Sequence, residues 1–238
     1  TLVLVLSNNS SIDDNIVETA GSANSIYLCI YSAGDYTGGP CYYNNITNNK
    51  ISTTISNPSA YNYAICVFGS YNLVEGNTIN DAYAGIIINR PYNNVIGNTL
   101  NNIKGTTDYG SSTIVTTYST ISNNILKNCT TGIIGINSNV TGNTINTPVG
   151  IGITLQGTLF NVSSNNINSK EGISYSQTGK TATTGIIENN NITSADSYTI
   201  DIKGVKNVTV INNYLIANGS YGDNSVLKTS ADIVINNT

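Results

Sequence analysis

Two carboxylates in this chain occupy matching places. Glu171 and Asp196 each fall nine residues after an apolar residue that opens a repeated phrase, Val162 and Ile187. If successive phrases stack as strands, the two acids lie about 5 Å apart on neighbouring turns, a separation suited to two-carboxylate cleavage of a glycosidic bond. The other candidates are sparse. Asp13–Asp14 is the only adjacent acidic pair, Arg90 is the only Arg, and there is no His. Lys170 adjoins Glu171, and both acids follow the turn-like stretches NSK and TSA. A solvated surface explains these residues more simply than catalysis does. Glu75 and Glu188 share a place in the phrase but stand five phrases apart. The expectation is a chain without a catalytic site, a metal site or a cofactor.

The phrase itself carries more information. NVTGNTIN (139–146), NVIGNTLN (94–101) and LVEGNTIN (73–80) are close copies. Aligned on their first inward apolar residue, nine copies start at Ile46, Val74, Val95, Ile121, Val140, Val162, Ile187, Val210 and Val234, a mean step of 23.5 residues. Three residues on, the column is Asn in all nine: Asn49, Asn77, Asn98, Asn124, Asn143, Asn165, Asn190, Asn213 and Asn237. The residue before it is Asn, Gly or Ser, and two residues after it stands Ile or Leu. Such a period signals a solenoid.

Within each copy apolar and polar residues alternate, as in a strand with one buried side. Gly or Asn then admits the left-handed backbone of a sharp bend. A further short strand recurs in AICVF (64–68), GIIIN (85–89), GIIGI (132–136), GIGITL (150–155) and YTIDI (198–202). Capped helical patterns are absent. The reading is an all-β, right-handed parallel β-helix of about nine to ten coils, a single domain over 1–238. Residues 1–45 form irregular first coils, with an inserted loop near 34–43, and 46–238 form regular ones. The invariant Asn then has a structural role. Its amide donates to one neighbouring coil and accepts from the other, an internal asparagine ladder.

Composition bounds the rest. The chain has 238 residues, 39% hydrophobic and 9% charged, with net charge −4. This is not the signature of disorder. Single, scattered Lys residues make nucleic acid an unsuitable partner, and no apolar run is long enough for a membrane helix. The chain holds no Met, so as given it does not begin at its start codon. Four cysteines, Cys29, Cys41, Cys66 and Cys129, in no CxxC pattern, suggest a disulfide. Cys29 (IYLCI) and Cys66 (AICVF) lie in similar strand contexts and could face each other, and the alternative is that both are small buried thiols.

Ten N-x-S/T sequons occur. In those at Asn45, Asn139, Asn161, Asn191 and Asn207 the middle residue points inward, so alternation places the Asn outside, where it can carry a glycan. Asn128 and Asn218 are further candidates. Twelve of the 16 Tyr lie in residues 27–118. Tyr42–Tyr43 and Tyr61/Tyr63 are expected in excursions from the rod, as ordinary strand residues, subunit contacts or sugar-stacking groups. With no capping helix at either end, end-to-end stacking of copies is expected.

These repeats resemble the right-handed parallel β-helix proteins of the pectate-lyase-like superfamily, and most closely the Asn/Thr-rich surface proteins of methanogenic archaea, which include adhesin-like, S-layer and sheath proteins. The resemblance covers 46–238 well and 1–45 weakly. It departs from the superfamily's polygalacturonase-like and lyase members, which carry paired Asp with His, or clustered Asp with a basic residue. The expected function is therefore a non-enzymatic, extracellular structural protein, self-associating end to end and laterally in a cell-surface layer, sheath or filament. The alternative is an adhesin or carbohydrate-binding stalk that contacts cell-surface glycans. A polysaccharide lyase or hydrolase comes last.

Overall fold

Alternation of β-branched and polar residues favours strands that bury one side, and strands are what form. The computed structural model describes residues 3–5, 7–21, 28–33, 39–55, 63–105, 112–175, 184–195, 198–202, 207–218, 227–229 and 233–235. Among these the chain is all-β, with every strand pairing parallel to its equivalent in the next coil. The result is a parallel β-solenoid.

Three strand faces surround the core. The first is a ten-stranded sheet running from Ser11–Asp13 through Asn45–Thr47, Leu73–Glu75 and their successors to Ile233–Ile235. The second holds Lys50–Ile55, Thr78–Asn80 and Thr99–Asn101, and the third holds Tyr63–Val67, Ala84–Ile88 and Ile114–Thr117. Two long strands, Thr144–Gln156 and Asn166–Tyr175, pass through both of these faces and join them into one sheet. A full circuit is described over 74–94, 121–139 and 140–161. Elsewhere part of each circuit lies outside the described residues, so the nine to ten coils expected from the repeat exceed the complete circuits seen.

The phrase alignment is the structural register. Val74 pairs with Ile46 on one side and Val95 on the other, and the column continues through Ile121, Val140, Val162, Ile187 and Val210 to Val234. It also extends one coil earlier than the nine-copy alignment. Ile12 pairs with Ile46, and Asn15 occupies the ladder position three residues later. From Ile46 to Val210 this column is completely buried. Each such Val or Ile contributes about 1.5–3 kcal/mol of burial.

At each bend between first and second faces one residue is left-handed: Asp14, Asn48, Gly76, Gly97, Asn123, Gly142, Ser164, Asn189 and Asn212, with φ from 53° to 66°. The turn aims the next residue, the ladder Asn, inward. Asn98 shows the bonding. Its Oδ1 accepts from the backbone N of Asn77 at 2.9 Å and from its Nδ2 at 3.0 Å. Its own Nδ2 donates to Val74 O at 2.9 Å and to Asn124 Oδ1 at 3.0 Å. The same pattern links Asn49 through Asn213. Asn237 lies outside the described residues. From Asn49 to Asn190 every amide is thus satisfied by the coils on both sides, which removes the cost of about 1–3 kcal/mol for an unpaired buried polar group.

Candidate functional site

A second ladder lies at the bend between third and first faces. Asn44, Asn72 and Asn93 are buried there, each two residues before a coil start. The backbone N of Asn44 donates to Asn72 Oδ1 at 2.8 Å, and the backbone N of Asn72 donates to Asn93 Oδ1 at 2.8 Å. Two serines continue the line. The backbone N of Asn93 donates to Ser119 Oγ at 3.2 Å, and that of Ser119 to Ser138 Oγ at 3.2 Å.

As at the first ladder, the residue before each of these is left-handed. Here, however, it is Tyr in four successive coils: Tyr43, Tyr71, Tyr92 and Tyr118, with φ of 59°, 61°, 64° and 46°. Their rings stand outside the solenoid in a continuous line. Centroids of Tyr43 and Tyr71, and of Tyr71 and Tyr92, lie 5.5 Å apart with planes 18° from parallel. Tyr92 and Tyr118 are 6.4 Å apart and tilted. Tyr42, on a two-residue strand paired with Gly69–Ser70, reaches Tyr43 at 6.5 Å.

This corrects one expectation. Tyr42–Tyr43 belong to the regular coil, not to an excursion, because Tyr43 takes the corner position that Tyr71, Tyr92 and Tyr118 take in later coils. Tyr63 opens a third-face strand, while Tyr61 and residues 34–38 of the expected loop lie outside the described residues. The signal was present in the phrase alignment: three residues before the starts Ile46, Val74, Val95 and Ile121 the residue is Tyr each time.

Of the two carboxylates at matching offsets, Asp196 lies outside the described residues. Ile173 is level with Ile200, and the backbone N of Gly172 donates to Tyr198 O. Glu171 therefore comes level with Tyr198. Equal offset from the coil start fails here because more residues separate Ser194 from Ile200 than separate their partners Ser169 and Ile173. Glu75 and Glu188 do share a column, five strand steps apart. Asp13 is an exposed surface acid. Thr47 Oγ1 donates to its Oδ1 at 2.6 Å and Asn48 Nδ2 at 3.0 Å, and these bonds hold its carboxyl below the usual range. Arg90 is exposed at the Tyr corner. Among the described residues no group of three His, Cys, Asp or Glu is placed to hold a metal ion.

The disulfide expectation also changes. Cys41, Cys66 and Cys129 are buried free thiols. Tyr31, not Cys29, is level with Cys66, and Ile30 with Ile65, which leaves Cys29 two positions out of step. Burial pushes the Cys66 thiol up to about 12, and burial raises Cys129 as well. Neither is a reactive thiolate at neutral pH.

The sequon geometry is as read from alternation except at Asn161, whose Oδ1 is buried. Ile46, Val140, Val162, Ile192 and Val208 are buried, while Asn45, Asn139, Asn191 and Asn207 are exposed and Asn161 is half-buried. Asn128 and Asn218 are exposed too. Asn128 Nδ2 donates to Asn102 Oδ1 at 2.8 Å, so its amide is already engaged on the surface. No protein-family model matches the chain, and no curated protein matches it in sequence. What can be said of its kind rests on its fold, a parallel β-solenoid with buried asparagine ladders.

Proposed function

We propose that the protein is a non-enzymatic structural element of the cell surface, a β-helical subunit that associates with copies of itself in an extracellular layer, sheath or filament. The observation that best supports this reading is where the polar chemistry lies. The ladder asparagines from Asn49 to Asn213 are buried and bonded coil to coil. Rigidity along one axis is what a building block needs. Among the described acids, by contrast, Asp13, Asp14, Glu18, Glu75 and Asp81 are exposed and dispersed over the surface.

On this reading the chain groups with the right-handed, pectate-lyase-like β-helices that its repeat resembles, and with the Asn/Thr-rich surface proteins of methanogens among them. Exposed sequons at Asn45, Asn139, Asn191 and Asn207 fit a glycoprotein. Electron microscopy of native protein at neutral pH tests assembly. Ordered rings, tubes or filaments are expected, and dispersed single rods would reject self-association. Release of oligosaccharides from any polysaccharide by the purified chain would reject the non-enzymatic half of the proposal.

A further inference from the structure

We infer that one edge of the solenoid, the ridge of Tyr43, Tyr71, Tyr92, Tyr118, Leu159 and Ile186, is a docking surface for a second copy of this chain, and that two copies meet along it antiparallel, about a two-fold axis at Tyr118. This surface rests on the self-association proposed above and gives it a lateral contact.

Exposed apolar surface collects on this edge. Among the described residues ten large apolar or aromatic side chains are exposed, and these six share one ridge. They follow the corner between third and first faces. Tyr43, Tyr71, Tyr92 and Tyr118 stand three residues before the coil starts Ile46, Val74, Val95 and Ile121, Asn137 stands three before Val140, and Leu159 three before Val162. Ile186 belongs to the next coil, level with Asn161. The ridge therefore crosses seven successive coils, a length of about 29 Å at one strand spacing per coil. Its stretches CYYNN, GSYNL, RPYNN, TTYST, INSNV and TLFNV contain one charge, Arg90. Aromatic side chains with an Arg and little other charge are the composition of an interface core.

Ring geometry restricts what can meet this edge. Tyr43, Tyr71 and Tyr92 are stacked on one another, so they present only their edges and hydroxyls outward. An aromatic edge carries partial positive charge. The edges of a second such stack would repel it, and aliphatic side chains suit it better. The same ridge supplies these in its other half, as Leu159 and Ile186, which are 56% and 42% exposed.

Tyr118 is the middle of the seven positions. Turning a second copy end for end about it brings Tyr43 level with the partner's Ile186, Tyr71 with the partner's Leu159, and Tyr92 with the partner's Asn137. Tyr118 then meets its own symmetry mate. It ends the line, tilted 47° to Tyr92, and no ring among the described residues stacks on its far side, so it keeps a face for offset stacking. Parallel pairing would instead set stack against stack and Arg90 level with its mate. A second solenoid also repeats at the same spacing, so each coil of the ridge finds an equivalent coil, and the contact is isologous. Four rings at about half exposure and two aliphatic side chains offer roughly 500 Å² per copy. Two copies bury about 1,000 Å² in all, the lower limit of a specific contact. That area suits a pair held weakly in solution and reinforced within a polymer.

Sedimentation of the full chain over a concentration series should show a monomer–dimer equilibrium. Leu159→Asp should raise its dissociation constant on the order of tenfold or more, with the melting temperature of the dilute protein unchanged. Cross-linking by mild oxidation reads the geometry. Tyr118→Cys should link to itself, Tyr71→Cys alone should not, and Tyr71→Cys mixed with Leu159→Cys should give the mixed dimer. Self-linking of Tyr71→Cys would mean parallel pairing and overturn the two-fold arrangement. Ordered assemblies in electron microscopy that persist in Leu159→Asp, with Tyr118→Cys unlinked, would give the ridge to a different occupant and overturn the inference while self-association stands. A wild-type chain that stays monomeric and forms no assembly would overturn both.

Discussion

Two corners of the same coil solve one geometric problem differently. Both place a left-handed residue before an inward-facing ladder residue. Between first and second faces the left-handed residue is Asp, Asn, Gly or Ser in every coil from Asp14 to Asn212. Between third and first faces it is Tyr from Tyr43 to Tyr118, and then Asn137. The first corner holds what the backbone prefers. The second departs from it only in the first half of the solenoid.

That half differs elsewhere as well. The outward column of the third face runs Cys66, Ile87, Val115 and Ile134, all buried, and then changes to Thr154, Ser174 and Asp201. The main ladder crosses this boundary unchanged. Fold and corner chemistry are therefore separable: the ladder carries the solenoid through both halves, and the second corner is free to vary.

The largest test of that separation is removal of one main-ladder amide in each half. Asn98→Ala leaves the backbone N of Asn77 without its acceptor, takes one acceptor from its Nδ2, which keeps Ile46 O and Glu75 O, and leaves Val74 O without its Nδ2 donor. Asn165→Ala does the same to Asn143, whose Nδ2 keeps Ile121 O and Thr141 O. Each should cost about 3–5 kcal/mol. Chemical denaturation should give values within about 1 kcal/mol of each other. A large asymmetry would mean that the ladder does not act as one uniform element.

The second ladder should be graded. Asn93→Ala strands the backbone N of Asn72, leaves its Nδ2 only Ser70 O and frees Gly69 O, and it should cost about 2–4 kcal/mol. Ser138→Ala removes one acceptor for Ser119 N and should cost about 1–2 kcal/mol. Equal losses would argue against the view that this ladder weakens along the chain.

Cys66 probes the apolar outer column of the first half. Its folded thiol is raised to about 12 from an ordinary 9.0. The neutral buried form therefore contributes its full stability below pH 9, and that contribution is lost as pH rises toward 12. Melting temperatures of wild type and Cys66→Ala should converge across that window. Parallel curves would show that burial of this thiol does not set the alkaline limit.

The smallest effect has the opposite sign. Tyr71→Asn relieves left-handed strain but gives up two ring contacts, with Tyr43 and Tyr92, and should leave a net gain of no more than about 0.5 kcal/mol. A loss of stability would make the ring a packing element and remove the contrast between the two corners.

Much of this architecture was legible because a solenoid repeats its physics at fixed spacing. The Asn column, the Gly/Asn/Ser column before it and the inward apolar columns are each set by a local demand: an amide to be satisfied, a left-handed bend, a buried strand face. A further copy at Ile12 and the Tyr column obey the same spacing, and extending the alignment upstream finds both. One likeness in the sequence misleads. Cys29 and Cys66 sit in similar strands, but that likeness does not set the level at which strands pair. Coils differ in length by the residues their bends absorb, and those residues shift everything after them.

The sequence by itself determined the strand period, the position of each bend and the residues that must turn inward, because these follow from side-chain chemistry within one coil. Only the tertiary structure decided which side chains became neighbours between coils. It made one line of four tyrosines from residues 28, 21 and 26 positions apart. It also left three cysteines as separate buried thiols. Stacking brings together residues a whole coil apart in the chain, and their register depends on every bend between them.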